Sequence, residues 1–198
     1  MTQMTLQTMT DLLRAARTCR RFVEDTPLPP AALRHIVDAA RVASSCVNRQ
    51  PLRYYTVSDP EIRGRIFPGI RWAGALPDWN GPAEGERPTG YIVICSAQPA
   101  NMFVYYDIGI AAQSMQLCAT AMGLGCCMIN NFAKDAAREI LGIPDTLEVM
   151  LLLALGAPRE VRRIEDAVAG DSLTYWRDEQ NVHHVPKLML DQVLLAEK

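Results

Sequence analysis

Three observations in the sequence predict an α+β fold. Helical and strand-like segments follow one another without a regular βαβ repeat, which disfavours a doubly wound parallel sheet. Two short runs, Tyr91–Cys95 and Met150–Leu155, are apolar throughout and read as fully buried strands. Between Pro88 and Ala133 the only charge is Asp107, so the helix expected from about Met102 to Met122 has no solvated charged face. With 198 residues, 49% hydrophobic and 21% charged, the chain suits one globular domain spanning 1–198.

The elements follow in order. A first helix is expected from near Thr10, carrying Leu12, Leu13 and Ala16 and running into the basic cluster Arg17–Arg21. Pro29-Pro30 opens a second, because proline is tolerated in a first helical turn. Its apolar face is Leu33, Ile36, Val37 and Ala40, at i, i+3, i+4, i+7. A polar loop, Ser44–Pro51, leads to a strand over 54–57 and a short helix over 60–67. Residues 69–88, rich in Gly, Pro and Trp, read as an ordered lid-like excursion, since Trp72 and Trp79 suit no solvated linker. After the strand at 91–95 comes the long helix, capped by Gly123. A strand over 126–129, an amphipathic helix over 134–141 and the strand over 150–155 follow. From 161 onward, 173–176 and 182–185 read as a hairpin around Asp178–Asn181, with a last helix after Pro186 as a C-terminal arm.

An uncharged helix in a chain this size is most easily buried at a subunit interface, which points to a dimer. A membrane span is disfavoured by Asp107, Gln113, Ser114, Gln116 and Thr120 and by the lack of a basic flank on the N-terminal side. The net charge of −2 and pI near 5.9 offer no general attraction to nucleic acid. The N-terminus shows no basic-then-apolar leader pattern, and the six cysteines form no CxxC pair. A reducing cytoplasm is the expected location. Phosphate-loop, HExxH and GxSxG motifs are absent. Neighbouring His183 and His184 would face opposite sides of a strand, so no metal site is expected. Asp107 reads as a buried hydrogen-bonding residue rather than a catalytic carboxylate.

Three clusters are polar where the chain around them is apolar. Arg17-Thr18-Cys19-Arg20-Arg21-Phe22 sets a hydroxyl between guanidinium groups, which suits phosphate and equally suits a cationic helix end. Ser44–Pro51 gathers hydroxyls and amides that fit a polar ligand or ordinary turn chemistry. Asn130-Asn131 ends an apolar strand just before a helix, a place for backbone N–H groups to meet a ligand or for a plain loop.

Taken together, the clusters resemble the nitroreductase superfamily of FMN enzymes. Arg17-Thr18-x-Arg20-x-Phe22 is similar to its N-terminal R-S-x-R-x-F motif, and Ser44–Pro51 to its P-S-S-x-N-x-Q-P-W loop. Tyr106-Asp107-x-Gly109-x-Ala111-Ala112-Gln113 through Gly125 resembles its central helix. Met128–Phe132 resembles the segment facing the flavin, and Ala154-Leu155-Gly156-x-Pro158-x-Glu160 the closing strand and turn. The tail from Tyr175 to Lys187 is similar to one found in a single branch of the family. The chain departs from the pattern at Ser44 (usually Pro), Cys46 (Ser), Leu52 (Trp) and Asn130 (often acidic), so nitro-group reduction is not part of the expectation.

The resemblance implies a nitroreductase-like fold: a central, mostly antiparallel sheet flanked by helices, in an intertwined homodimer with FMN at the interface. It implies that Arg17, Thr18 and Lys187 hold the phosphate and ribityl end. Arg20 would lie near the pyrimidine edge, and Asn130 and Asn131 near N5 and O4. Ser44, Ser45, Cys46, Asn48 and Gln50 would reach the flavin from the partner subunit. Electrons would pass from NADH or NADPH through flavin N5 to a small planar acceptor in a ping-pong cycle. No catalytic side chain is required, because the cofactor carries the chemistry. The alternatives are a flavin-binding sensor or storage protein, and a reduced-flavin/oxygen enzyme on the same fold.

Overall fold

Period-two alternation along buried strands organises the molecule. The computed structural model describes residues 5–76 and 78–198. Residues 1–4, part of the stretch read as lacking a leader pattern, and Pro77, within the lid-like excursion, lie outside the described residues. In chain order the elements are α1 (Leu6–Ala15), α2 (Pro30–Arg41), β1 (Leu52–Val57), α3 (Pro60–Ile66), β2 (Gly90–Ser96), α4 (Met102–Ala121) and β3 (Gly125–Ile129). Then come α5 (Lys134–Leu141), β4 (Glu148–Gly156), β5 (Arg162–Ala167), β6 (Trp176–Arg177), β7 (His183–Leu188) and α6 (Leu190–Val193).

The main sheet has the order β1-β2-β4-β3 and every pairing is antiparallel. Successive side chains on β2 and β4 point to opposite faces, and both faces are covered. Ile92, Ile94, Leu153 and Leu155 pack against Leu33 and Ile36 of α2 and Ile108 and Met115 of α4. Tyr91, Val93, Leu152 and Ala154 pack on the other face against Ile66, Trp72, Phe132 and Ala137. A strand covered on both faces needs no polar alternation, which is why β2 and β4 read as continuous apolar runs.

Helix α2 buries Leu33, Ile36 and Ala40 as its periodicity predicts. Helix α1 begins earlier than Thr10, because the Thr5 hydroxyl accepts from the Thr8 N–H and caps its N-terminus. Gly123 closes α4 at φ +76, the left-handed geometry that favours glycine. One face of α4 is buried in the core, and the other leaves Met102, Phe103, Tyr105, Tyr106 and Ile110 exposed on this chain. No described helix is long and apolar enough to cross a membrane.

The expected hairpin is present as β6–β7, with Asn181 at φ +60 in its turn. It belongs to a second sheet, β5-β7-β6, in which β5 runs parallel to β7. The helix expected after Pro186 is present but starts later and is short: β7 continues through Pro186 to Leu188, and α6 is a single turn over Leu190–Val193. Strand β6 begins only at Trp176, opposite His184, so β7 is an edge beyond His184 on that side, where a strand proline is tolerated.

Candidate functional site

The segment 17–23 has no regular structure of its own, yet it is seated along the free edge of β3. Thr18 bridges Cys126 in parallel, and the Cys19 N–H donates to the Cys126 carbonyl at 2.8 Å. Farther on, the Val23 N–H donates to Ala157 O (2.8 Å) and the Arg159 N–H to Arg21 O (2.9 Å). Two glycines facing each other across the β3–β4 ladder, Gly125 and Gly156, make room for this seat. A Cβ on Gly125 would lie 2.6 Å from Cys19 Sγ, and one on Gly156 3.1 Å from Phe22 Cδ1. Gly125 therefore serves close approach.

This seat directs Arg17, Thr18 and Arg20 into a cleft of about 290 Å³ whose wall also includes Lys187, Gln113, Gln116, Tyr175 and His183. The structure thus brings four of the sequence-predicted residues together. Both readings of the arginine cluster coexist at Arg17. Its Nη2 donates to Leu13 O at 2.9 Å, capping α1, while its buried Nε has no partner among the described residues. Burial, and then the neighbouring Arg162, hold the Arg17 pKa below its ordinary value, so this corner favours an added anion.

Arg20 is the most enclosed of the set, with 9% of its surface exposed. Its backbone N–H donates to Glu160 Oε1, its guanidinium meets His183 Nε2 at 3.1 Å, and its central carbon stands 4.5 Å from the Tyr175 ring centroid. Glu160, itself buried, receives Arg177 on its other oxygen at 3.0 Å. Burial and then Arg20 push His183 down to about 4. His184, the next residue, faces the other way: Nδ1 meets Glu165 at 2.6 Å, Nε2 meets Asp178 at 3.0 Å, and its ring stacks on Trp176 at 3.8 Å. Its pKa is raised, first by Asp178 and then by Glu165. That one histidine ties β5, β6 and the β6–β7 turn to β7. Among the described residues no three His, Cys, Asp or Glu side chains cluster as metal ligands.

The loop residues occupy a different place. Ser45 Oγ–H donates to Asp107 Oδ2 and the Cys46 N–H to Asp107 Oδ1, both at 2.7 Å, while the Gln50 N–H donates to Ser45 Oγ at 3.0 Å. Asp107 is 3% exposed and serves as the buried hydrogen-bonding residue the sequence suggested. The loop holds strained backbone at Val47 (φ 53), Asn48 (φ 54) and Gln50 (φ 48), and Ser44, Asn48 and Gln50 are exposed. The Ser45 hydroxyl is spent inside the subunit, and burial followed by Asp107 raises the Cys46 thiol pKa. Ser44, Ser45 and Gln50 line a separate cleft with Asp107 and Tyr54, apart from the arginines.

Asn130 and Asn131 are exposed at the end of β3, the strand edge that Thr18 and Arg20 follow. The Asn130 side chain accepts from Lys134 at 3.4 Å, and the Asn131 carbonyl from the Arg71 N–H at 3.0 Å. The described part of the excursion is packed: Trp72 meets Trp79 edge-on, Arg177 stacks 4.2 Å from Trp79, and Tyr175 Oη accepts from the Ala75 N–H.

Sequence reasoning missed Gln113, Gln116, Tyr175 and His183 as cleft residues. Gln113 and Gln116 carried a readable signal, since they are two amides at i, i+3 on a mostly apolar helix. Tyr175 and His183 carried none, because only the second sheet brings them to the cleft.

Comparison with known proteins agrees with this architecture. The Nitroreductase family model matches residues 13–81 and 82–157. An FMN-dependent nitroreductase from Clostridium difficile superposes with a TM-score of 0.63 at 25% identity, over 78% of this chain and 90% of that one. A nitroreductase family protein from Clostridium novyi gives 0.62 at 24%, over 76% and 84%. The NADPH-flavin oxidoreductase of Vibrio harveyi is 26% identical over 165 residues, covering 75% of this chain and 65% of that protein.

Proposed function

The chain belongs to the nitroreductase family, and from that premise we propose that it is an NAD(P)H-dependent FMN oxidoreductase working as a homodimer. The observation that carries the reading is the cationic cleft, in which Arg17, Thr18, Arg20 and Lys187 converge beside a buried Arg17 Nε that has no partner among the described residues. A phosphate supplies the anion and the acceptor oxygens that this corner lacks. Arg17, Thr18 and Lys187 would hold that end, and Arg20 would carry positive charge toward the electron-accepting ring. The chemistry supplied by bound FMN is electron transfer from NADH or NADPH to a small planar acceptor. Asn130 and Asn131 offer exposed amides farther along the same edge. Tyr175 and the packed tryptophan excursion stiffen the wall behind Arg20.

The homodimer reading rests on α4. Its exposed aromatic and aliphatic face, Met102, Phe103, Tyr105, Tyr106 and Ile110, matches what an obligate interface buries. The partner would then bring its Ser44–Gln50 loop, already shaped by Asp107, to the cofactor.

Purified protein is expected to be yellow, or to gain FMN with a rise in melting temperature. It is expected to bleach on adding NADH or NADPH and to elute at dimer size. Colourless protein whose melting is unmoved by FMN would overturn the reading. A yellow protein that neither nucleotide bleaches would reduce it to a flavin-binding protein.

A further inference from the structure

We propose that His183 is a positioning residue that fixes the Arg20 guanidinium in the cleft while leaving its positive charge unpaired. The inference rests on the flavin reading above and adds the tail histidine as the device that delivers the charge. Arg20 Nη1 lies 3.1 Å from His183 Nε2, and the Tyr175 ring lies against both, 4.5 Å from the guanidinium carbon and 5.2 Å from the imidazole centroid. A guanidinium only donates, so Nε2 must accept. The imidazole is therefore neutral and carries its proton on Nδ1, which is buried and has no acceptor among the described residues.

The groups facing His183 keep it neutral. Arg20 and Arg177 approach from the 17–23 segment and β6, Arg162 from β5 and His184 from β7 itself, and with burial they press its pKa down to about 4. The nearby carboxylate does not pair with the Arg20 guanidinium: Glu160 is taken by the Arg20 backbone N–H and by Arg177. A carboxylate in place of His183 would grip the guanidinium as well but cancel its charge. A neutral acceptor fixes the geometry and leaves the charge for a bound cofactor, and charge beside a flavin ring tunes its electronics.

The isosteric pair His183→Gln and His183→Glu separates charge from shape, with the midpoint potential of bound FMN as readout. Gln, a neutral acceptor, is expected to keep the potential near that of the parent. Glu is expected to lower it, because a neutralised Arg20 no longer favours the electron-rich reduced cofactor. Equal potentials in the two variants would overturn the proposal even where both bind FMN. In the FMN-free parent, nitrogen NMR of the imidazole is expected to show the Nδ1–H tautomer from about pH 5 to about pH 8. An Nε2–H tautomer, or ordinary titration within that range, overturns the proposal whether or not Glu is tolerated at this position. Failure of the parent to bind FMN at all would instead sink the functional reading, with the tautomer measurement still deciding how Arg20 is held.

Discussion

Removing the carboxylate of Asp107 should loosen the Ser44–Gln50 loop before it affects the core. Asp107 accepts two bonds of 2.7 Å, from the Ser45 hydroxyl and the Cys46 N–H, and Ser45 Oγ in turn accepts from the Gln50 N–H. Bonds to a charged group contribute about 1.5–3 kcal/mol each. Both donors are only part-buried, so water recovers some of the loss and the lower figure applies. Asp107→Ala should then cost about 3 kcal/mol in total. For a chain of this length that corresponds to a fall of about 6–12 °C in melting temperature. Asp107→Asn keeps an acceptor for the Cys46 N–H but turns its amide toward Ser45, so about half the loss is expected. Thermal melts of the three proteins, with hydrogen exchange at the amides of 45–50, measure both parts. The strained residues Val47, Asn48 and Gln50 should exchange fastest in Asp107→Ala. Equal melting temperatures with unchanged exchange across that loop would refute the argument.

Gly125→Ala places a Cβ 2.6 Å from Cys19 Sγ, so overpacking should cost about 1–3 kcal/mol and shift the 17–23 segment. A melt shows the first effect and a fall in FMN affinity the second, and an unperturbed variant would show that the seat is loose. On the proposed reading Arg17→Ala would remove a charge-assisted phosphate contact of about 1.5–3 kcal/mol, so FMN should bind roughly 10–150-fold weaker. Quenching of FMN fluorescence measures it, and an unchanged Kd would leave Arg17 as only the cap of α1. His184 has its folded pKa raised above the ordinary 6.5, so its contribution is complete below that value and fades as pH rises through the folded pKa. The stability gap between the parent and His184→Gln should therefore shrink as pH rises above the ordinary histidine range. Denaturant melts that show the gap widening would contradict the clamp on β5, β6 and β7.

What the sequence alone determined is local or periodic. The apolar runs of β2 and β4 are recognisable because burial on both faces removes the polar alternation. Helix α2 follows from Pro30 and its i, i+3, i+4 spacing, and the cationic segment 17–21 is visible as composition. Only the tertiary structure decided which distant groups meet. The pairing of β7 with β5 on one side and β6 on the other carries His183 and Tyr175 to Arg20, a separation of 163 residues for the histidine contact, and no periodicity encodes such a meeting. Pro186 looked like a helix opener, yet an edge position let the strand continue through it. The role of Gly125 has no local signal and shows only in three dimensions, where Cys19 stands in the place its Cβ would take. Propensity and patterning act over a few residues, whereas a binding cleft is built from side chains whose closeness depends on strand pairing and on the volume left between packed elements.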